Sequence, residues 1–193
     1  MLALVACLFV VQTVCAQDTE PPNVLSFDFD PKVVDTLASS QEITFTARLT
    51  DDLSGFTSAT VRFESPSDSQ SASVSFSSLD RISGDELDGV YEDEMTLPQY
   101  SEPGNWKLDY ISLRDNVGNR EQLSQDDAAA LGFPTEFVVV SVGDTEPPDV
   151  LSFDFDPKAV DTSASSQEIT LKTRITDDLS GFSSATVRFE SPS

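Results

Sequence analysis

The sequence predicts an all-β protein: an antiparallel β-sandwich of about seven strands, followed by a truncated second copy of the same unit. Three observations predict it. Apolar and polar residues alternate along several short segments, Gly, Pro, Asn and Asp punctuate the gaps between them, and one long segment occurs twice. Alternation with a period of two is typical of strands that bury one face.

The duplicated segment sets the domain boundaries. Asp18–Ser67 aligns without a gap with Asp144–Ser193, so the period is 126 residues (144 minus 18), and eight of the 50 aligned positions differ. A period of this length is that of a small domain, not of a solenoid turn. We therefore assign 18–143 to a complete first repeat and 144–193 to an incomplete second repeat, with DTEPP as the linker that opens each one.

The strands of the first repeat follow from the alternation. In the first strand, for example, Leu25, Phe27 and Phe29 share the inward face, and the intervening positions are polar. A short helix is predicted in SQDDAAALG, with Ser124 as its N-cap. The apolar phase slips after Tyr110, as it does at a β-bulge. Seven short strands in about 100 residues indicate an immunoglobulin-like sandwich. The predicted strands are 25–30, 43–50, 59–64, 72–76, 91–97, 106–110 and 137–142.

Several motifs carry a family resemblance. The linker DTEPP, the segments ITFTARLTDDLSG and GNWKLDYISLRDNVGN, and the closing FPTEFVVVSV resemble the bacterial immunoglobulin-like repeats of secreted or surface-displayed multi-repeat proteins. The resemblance implies a spacer or adhesive module, strung into stalks or attached to exported enzymes.

Composition narrows the compartment and the chemistry. Residues 1–17, MLALVACLFVVQTVCAQ, are predicted to be a signal peptide cut near Ala16, which places the protein outside the cell or on its surface. This apolar run is too short to span a membrane. Both cysteines lie in it, and the chain has no histidine, which excludes Ser-His-Asp and Cys-His nucleophile systems. The net charge of −23 repels nucleic acid and anionic lipid.

Acidic loops predict a candidate Ca²⁺ site. If the strands alternate in direction, the entry to the first strand and the ends of the second and sixth strands lie at the same pole of the sandwich. The turn between the fourth and fifth strands, which contains Asp85, Glu86 and Asp88, lies at this pole as well. Ca²⁺ prefers carboxylate, amide and carbonyl oxygens. The same residue types also form ordinary turns, and this alternative stays open. The predicted ligands are Asp18, Glu20, Asp51, Asp52, Asp115, Asn116 and Asn119.

Two functions remain open at this point. The first is a non-catalytic, exported structural or adhesive segment that acts as a spacer; its partners are neighbouring repeats, or another chain bound through the incomplete repeat. That repeat is expected to leave its apolar residues poorly covered. The alternative is a glycan-binding accessory domain of a secreted hydrolase, although the phase of Trp106 favours a core position. The aromatic candidates for a glycan platform are Trp106, Tyr91, Tyr100 and Tyr110.

Overall fold

The computed structural model describes residues 17–190 and confirms the all-β prediction. The predicted signal peptide, apart from Gln17, lies outside the described residues. Within 17–190, no helix has both the length and the apolar character needed to cross a membrane.

Among the described residues, the first repeat contains ten strands, one short α-helix and one 3₁₀ turn at Ser78–Asp80. The helix, α1 (Gln125–Ala130), starts at the predicted N-cap: Ser124 and Asp127 cap each other's backbone N–H groups. The strands are β1 (Asn23–Asp30), β2 (Val33–Asp35), β3 (Gln41–Thr50), β4 (Phe56–Glu64), β5 (Ser71–Ser77), β6 (Arg81–Gly84), β7 (Asp88–Leu97), β8 (Gly104–Asp115), β9 (Arg120–Ser124) and β10 (Glu136–Val140).

These strands form two facing sheets with an immunoglobulin-like order. One sheet has the order β1-β3-β7-β6 and the other β2-β10-β8-β4-β5, with β9 also paired to β8. In immunoglobulin nomenclature, the first sheet corresponds to strands A-B-E-D. In the second sheet, β10-β8-β4-β5 corresponds to strands G-F-C-C′, and β2 is an additional strand beside β10. All pairs are antiparallel except β2 with β10, because the chain switches sheets between β1 and β2.

The core is an aromatic cluster between the sheets. Phe29 and Phe45 from one sheet meet Phe63 and Phe137 from the other, with the Phe29 and Phe63 ring centroids 5.5 Å apart. Trp106 stacks on Phe137, and the Trp106 residue is 1% exposed. Burial of such large apolar side chains is the main stabilising contribution in a repeat that has no cysteine.

Three strands were not predicted, and two side chains were assigned to the wrong face. β2, β6 and β9 are three to five residues long, and each pairs with a single strand among the described residues, so they show no extended alternation. Leu25 was expected to point inward with Phe27 and Phe29, but it is 54% exposed, because the register between β1 and β3 shifts between Val24 and Ser26. Tyr110 was expected to point inward with Trp106 and Leu108, but it is half-buried on the outer face. The cause is the position of the bulge: the register between β4 and β8 shifts at Asp109, one residue before Tyr110.

The second repeat reproduces only one strand pair of the first among the described residues. β11 (Asp149–Asp156) pairs with β12 (Thr170–Thr176) in the register of β1 with β3, including the bulge. The duplicated sequence also includes the counterpart of β4, but that segment is irregular, because no described strand takes the places of β5 and β8 beside it. The apolar side chains are exposed as expected: Phe153 by 44%, Ile169 by 44%, Leu171 by 46%, Val187 by 46% and Phe189 by 57%, whereas Phe155 is half-buried.

Candidate cation site at the entry to the first repeat

Three carboxylates from separate segments meet at the pole where the chain enters the sandwich. Asp18 lies in the linker before β1, Asp51 directly follows β3, and Asp115 ends β8. One oxygen of each lies within 4.8 Å of the other two. All three side chains are buried; their residues are 9%, 8% and 1% exposed.

The loop between β3 and β4 fixes Asp51. Its Oδ1 accepts hydrogen bonds from the backbone N–H of Leu53 at 3.2 Å and of Gly55 at 2.6 Å. Gly55 closes the loop with φ +89°, a conformation that favours glycine. The sequence Asp-Asp-Leu-Ser-Gly thus folds onto its own first carboxylate.

The loop after β8 fixes Asp115 in the same manner. Its Oδ1 accepts from the backbone N–H groups of Val117, Gly118 and Asn119, and its Oδ2 accepts from Asn119 Nδ2 at 2.6 Å. Burial raises the pKa of Asp115, but these hydrogen bonds outweigh burial and hold the pKa below its ordinary value. Asp115 is therefore ionised at neutral pH.

Asp18 connects the linker to both loops. Its Oδ2 accepts from the backbone N–H of Ser54 at 2.8 Å, and its Oδ1 accepts from the N–H of Glu20 at 3.2 Å and from Asn119 Nδ2 at 3.4 Å. The two loops also bind each other, because Asn116 N donates to Gly55 O at 2.9 Å. The linker therefore enters the sandwich beside two loops that are hydrogen-bonded to each other.

The cluster carries uncompensated negative charge. Asp51 Oδ2 is buried and has no hydrogen-bond partner among the described residues. None of the ion pairs in residues 17–190 involves Asp18, Asp51 or Asp115. At an effective dielectric constant of about 20, two unit negative charges at this separation repel each other by about 3.5 kcal/mol or more. Such an arrangement favours a bound cation.

The structure brings together four of the seven predicted ligands. Asp18, Asp51, Asp115 and Asn119 form the cluster, with Asn119 as a hydrogen-bond donor to two of the carboxylates. The carboxylates of Glu20 and Asp52 are exposed outside it; Glu20 contributes its carbonyl oxygen, which accepts from Asn119 at 3.3 Å.

The remaining acidic and amide residues of this pole have other roles. Asn116 binds Thr57 and the Ser54 carbonyl instead of facing the carboxylates. Asp88 forms a two-pronged ion pair with Arg48, at 2.8 and 2.7 Å. Asp85 caps its own turn, and the exposed Glu86 provides a carbonyl to Phe56.

The second repeat contains counterparts of two of these carboxylates: Asp144 corresponds to Asp18 and Asp177 to Asp51, whereas its third acid, Asp178, corresponds to the exposed Asp52. Asp144, Asp177 and Asp178 form a second group of three carboxylates whose oxygens lie within 4.8 Å of one another. Asp144 accepts from the Ser180 N–H at 2.7 Å, as Asp18 does from Ser54, and Asp177 accepts from Gly181 at 2.6 Å. The hydrogen bond from Ser180 holds the pKa of Asp144 below its ordinary value.

Asp144 is shared between the two repeats. Its side chain caps the second-repeat loop, but its backbone belongs to the first repeat: its N–H donates to Tyr100 O at 2.9 Å, and its carbonyl accepts from Gln70 Nε2 at 2.9 Å. Gln70 is itself fixed, because its Oε1 accepts from the Glu102 N–H at 2.9 Å. The turn containing Gln70 gave no sequence signal for this role, since only the fold brings it to Asp144.

The glycan-platform candidates occupy different environments. Trp106 is buried and its Nε1 donates to Glu102 O at 2.8 Å. Tyr91 is fully buried against Phe56. Neither ring can stack on a sugar, whereas Tyr100 and Tyr110 are half-buried.

Comparison with known proteins gives one family. The family described as "Domain of unknown function (DUF7035)" matches residues 17–136, which contain β1–β9 and the whole acidic cluster. Neither the curated proteins nor the solved structures contain a significant match.

Proposed function

We propose that this chain, which belongs to the DUF7035 family, is a non-catalytic exported segment whose repeats act as a spacer or interaction module on a secreted or surface protein. The duplicated sequence and the predicted signal peptide at 1–17 support export and a modular array. Its partners in this role are neighbouring repeats and, through the exposed apolar side chains of the second repeat, another protein chain.

The observation that carries the proposal is the joint at Asp144. The residue that opens the second repeat is bound through its backbone to Tyr100 and Gln70 of the first repeat and through its carboxylate to Ser180 of the second. The linker continues as Pro147-Pro148, which restricts its backbone. A joint held at both ends limits the angle between repeats, and a spacer needs that property.

A distance measurement across the joint tests this role. The secreted chain is expected to begin at Gln17 and to lack cysteine, so cysteines introduced at the exposed positions Leu79 and Ser165 can carry spin labels. A narrow distance distribution is expected. Gln70→Ala removes the hydrogen bond to the Asp144 carbonyl and should broaden the distribution.

Gln99→Ala is the matched control. Gln99 Nε2 donates to Leu37 O at 3.0 Å, a bond that lies wholly within the first repeat. This variant should leave the distribution narrow. A broad distribution in the unsubstituted chain, or equal distributions in the two variants, would contradict a fixed joint, and a chain that starts at Met1 would contradict export.

A further inference from the structure

We propose that Asp18, Asp51 and Asp115 bind one Ca²⁺ ion and that this ion clamps the linker to the two loops beside it. The site combines three nine-tenths-buried carboxylates with oxygens within 4.8 Å of one another. The Asp51 Oδ2 atom, buried with no hydrogen-bond donor among residues 17–190, points independently to a bound cation. The spacer role is not needed for binding itself.

Hydrogen bonds within the cluster leave its charge in place. Asp18 and Asp115 accept from backbone N–H groups and from Asn119, all of which are neutral donors. Neutral donors stabilise an ionised carboxylate but do not neutralise it. No described Lys or Arg forms an ion pair with the three residues, so a bound cation would supply a compensating charge that the described side chains do not.

The chemistry of the donors favours Ca²⁺ over other metal ions. The chain has no histidine, and its cysteines are at positions 7 and 15, so the described residues offer oxygen ligands without imidazole or thiolate. Oxygen-only sites suit hard cations. Ca²⁺ accepts six to eight oxygens in adaptable geometry, whereas Mg²⁺ requires near-ideal octahedral geometry. Ligands from three separate segments meet the adaptable geometry of Ca²⁺ more readily than a strict octahedron.

Binding would have a mechanical consequence at each linker. Asp18 belongs to the linker, so an ion held together with Asp51 and Asp115 ties that linker to the ends of β3 and β8. Asp144 has the same position in the second repeat, and its backbone is already fixed by Tyr100. This consequence, unlike the binding, rests on the proposed spacer function.

Calorimetry and melting of the full chain test the binding. After treatment with chelator, Ca²⁺ titrated to about 10 mM, above the range of about 10⁻⁴–10⁻³ M known for extracellular modules, should give a saturable heat and raise Tm. Asp51→Asn keeps the Oδ1 acceptor for Leu53 and Gly55 but removes the charge. It should weaken Ca²⁺ binding by about tenfold or more and abolish the rise in Tm.

The apo protein provides a second readout. In chelator, Asp51→Asn should melt at or above the temperature of the unsubstituted chain, because it relieves repulsion; loss of a purely structural carboxylate would lower Tm. Asp68→Asn, at an exposed turn with φ +60° that asparagine accepts, is the charge-matched control and should keep the full response. Asp177→Asn should also keep the first-repeat response.

Three results would overturn the proposal. The first is a rise in Tm with Ca²⁺ that equals the rise with NaCl at the same ionic strength, since screening alone would explain it. The second is an Asp51→Asn response equal to that of the unsubstituted chain. The third is an absence of heat up to the highest Ca²⁺ concentration. Should Asp51→Asn fail to fold, Asp18→Asn replaces it, since Asp18 lies outside every strand.

Discussion

At the scale of single residues, buried acids in this protein differ in what surrounds their oxygens. Glu102 is 8% exposed, and its Oε2 accepts from the Ser67 hydroxyl at 2.6 Å. Burial raises the pKa of Glu102, but hydrogen bonds from Ser65, Ser67 and Ser69 outweigh burial and lower the pKa below 4.5, its ordinary value. The Glu102 carboxylate thus receives several hydrogen bonds, whereas Asp51 Oδ2 receives none from the described residues.

Glu102 should make stability depend on pH. Because its pKa is lower in the folded state, its contribution is present above pH 4.5 and is lost as pH falls through the folded-state pKa. Glu102→Gln should therefore reduce the free energy of unfolding by about 1–2 kcal/mol at pH 7, and the difference should shrink as the pH falls below 4.5 and through the folded-state pKa. Urea unfolding across this range measures it.

Glu136→Gln is the control for this experiment. Glu136 lies exposed on β10, so the same loss of charge should change stability by less than about 0.5 kcal/mol across the same pH range. A pH-independent loss in Glu102→Gln would mean that shape, and not charge, matters at this position.

At the scale of elements, Gly55 in the loop between β3 and β4 has a backbone conformation and a close neighbour that both disfavour a side chain. A Cβ on Gly55 would lie 2.8 Å from the Glu86 Cγ atom, in addition to the unfavourable φ of +89°. Gly132, after α1, has a similar φ of +82° but nothing within 4 Å of the same position. A substitution at Gly132 would therefore introduce backbone strain alone, whereas a substitution at Gly55 would introduce backbone strain and a steric contact.

Alanine substitutions at these glycines should therefore differ. Gly132→Ala should lower the free energy of unfolding by about 1–2 kcal/mol, the cost of a left-handed backbone with a Cβ. Gly55→Ala should cost more by about 1 kcal/mol or above, because Glu86 must move as well. Urea unfolding measures both, and equal losses would show that the contact with Glu86 is relieved freely.

At the scale of the whole molecule, the same residue in the same local sequence has two environments. Phe63 of β4 is fully buried between the sheets, whereas Phe189, its counterpart 126 positions later, is 57% exposed and contacts Phe155. Their neighbours in sequence are nearly identical, so the difference comes from tertiary partners. β5 and β8 flank Phe63 in its sheet.

Truncation of these two side chains should reveal the difference as stability. Phe63→Ala should reduce the free energy of unfolding of the first repeat by about 3–5 kcal/mol, the cost of a large core cavity. Phe189→Ala should change it by less than about 1 kcal/mol. Chemical denaturation followed by Trp106 fluorescence reports the first repeat, and similar losses in the two variants would contradict the observed burial.

The long elements and the composition of the candidate site were predictable from the sequence. The period-two pattern identified the long strands because each buries alternate residues, and the cap at Ser124 identified α1. The bulge was expected from the slip in phase, but its position was wrong by one residue. That error placed Tyr110 on the inner face, because a one-residue change in register reverses the side of every later residue.

What the sequence determined by itself was local: the alternation, the turn residues, the duplication, and the charge of the loops. Only the tertiary structure decided which loops meet, so it alone separated Asp18, Asp51 and Asp115 from the equally acidic Glu20 and Asp52. It also decided that Gln70 binds Asp144 and that Phe63 and Phe189 differ. The physical reason is that burial and charge proximity depend on contacts distant in sequence, whereas alternation and turn geometry depend on neighbours along the chain.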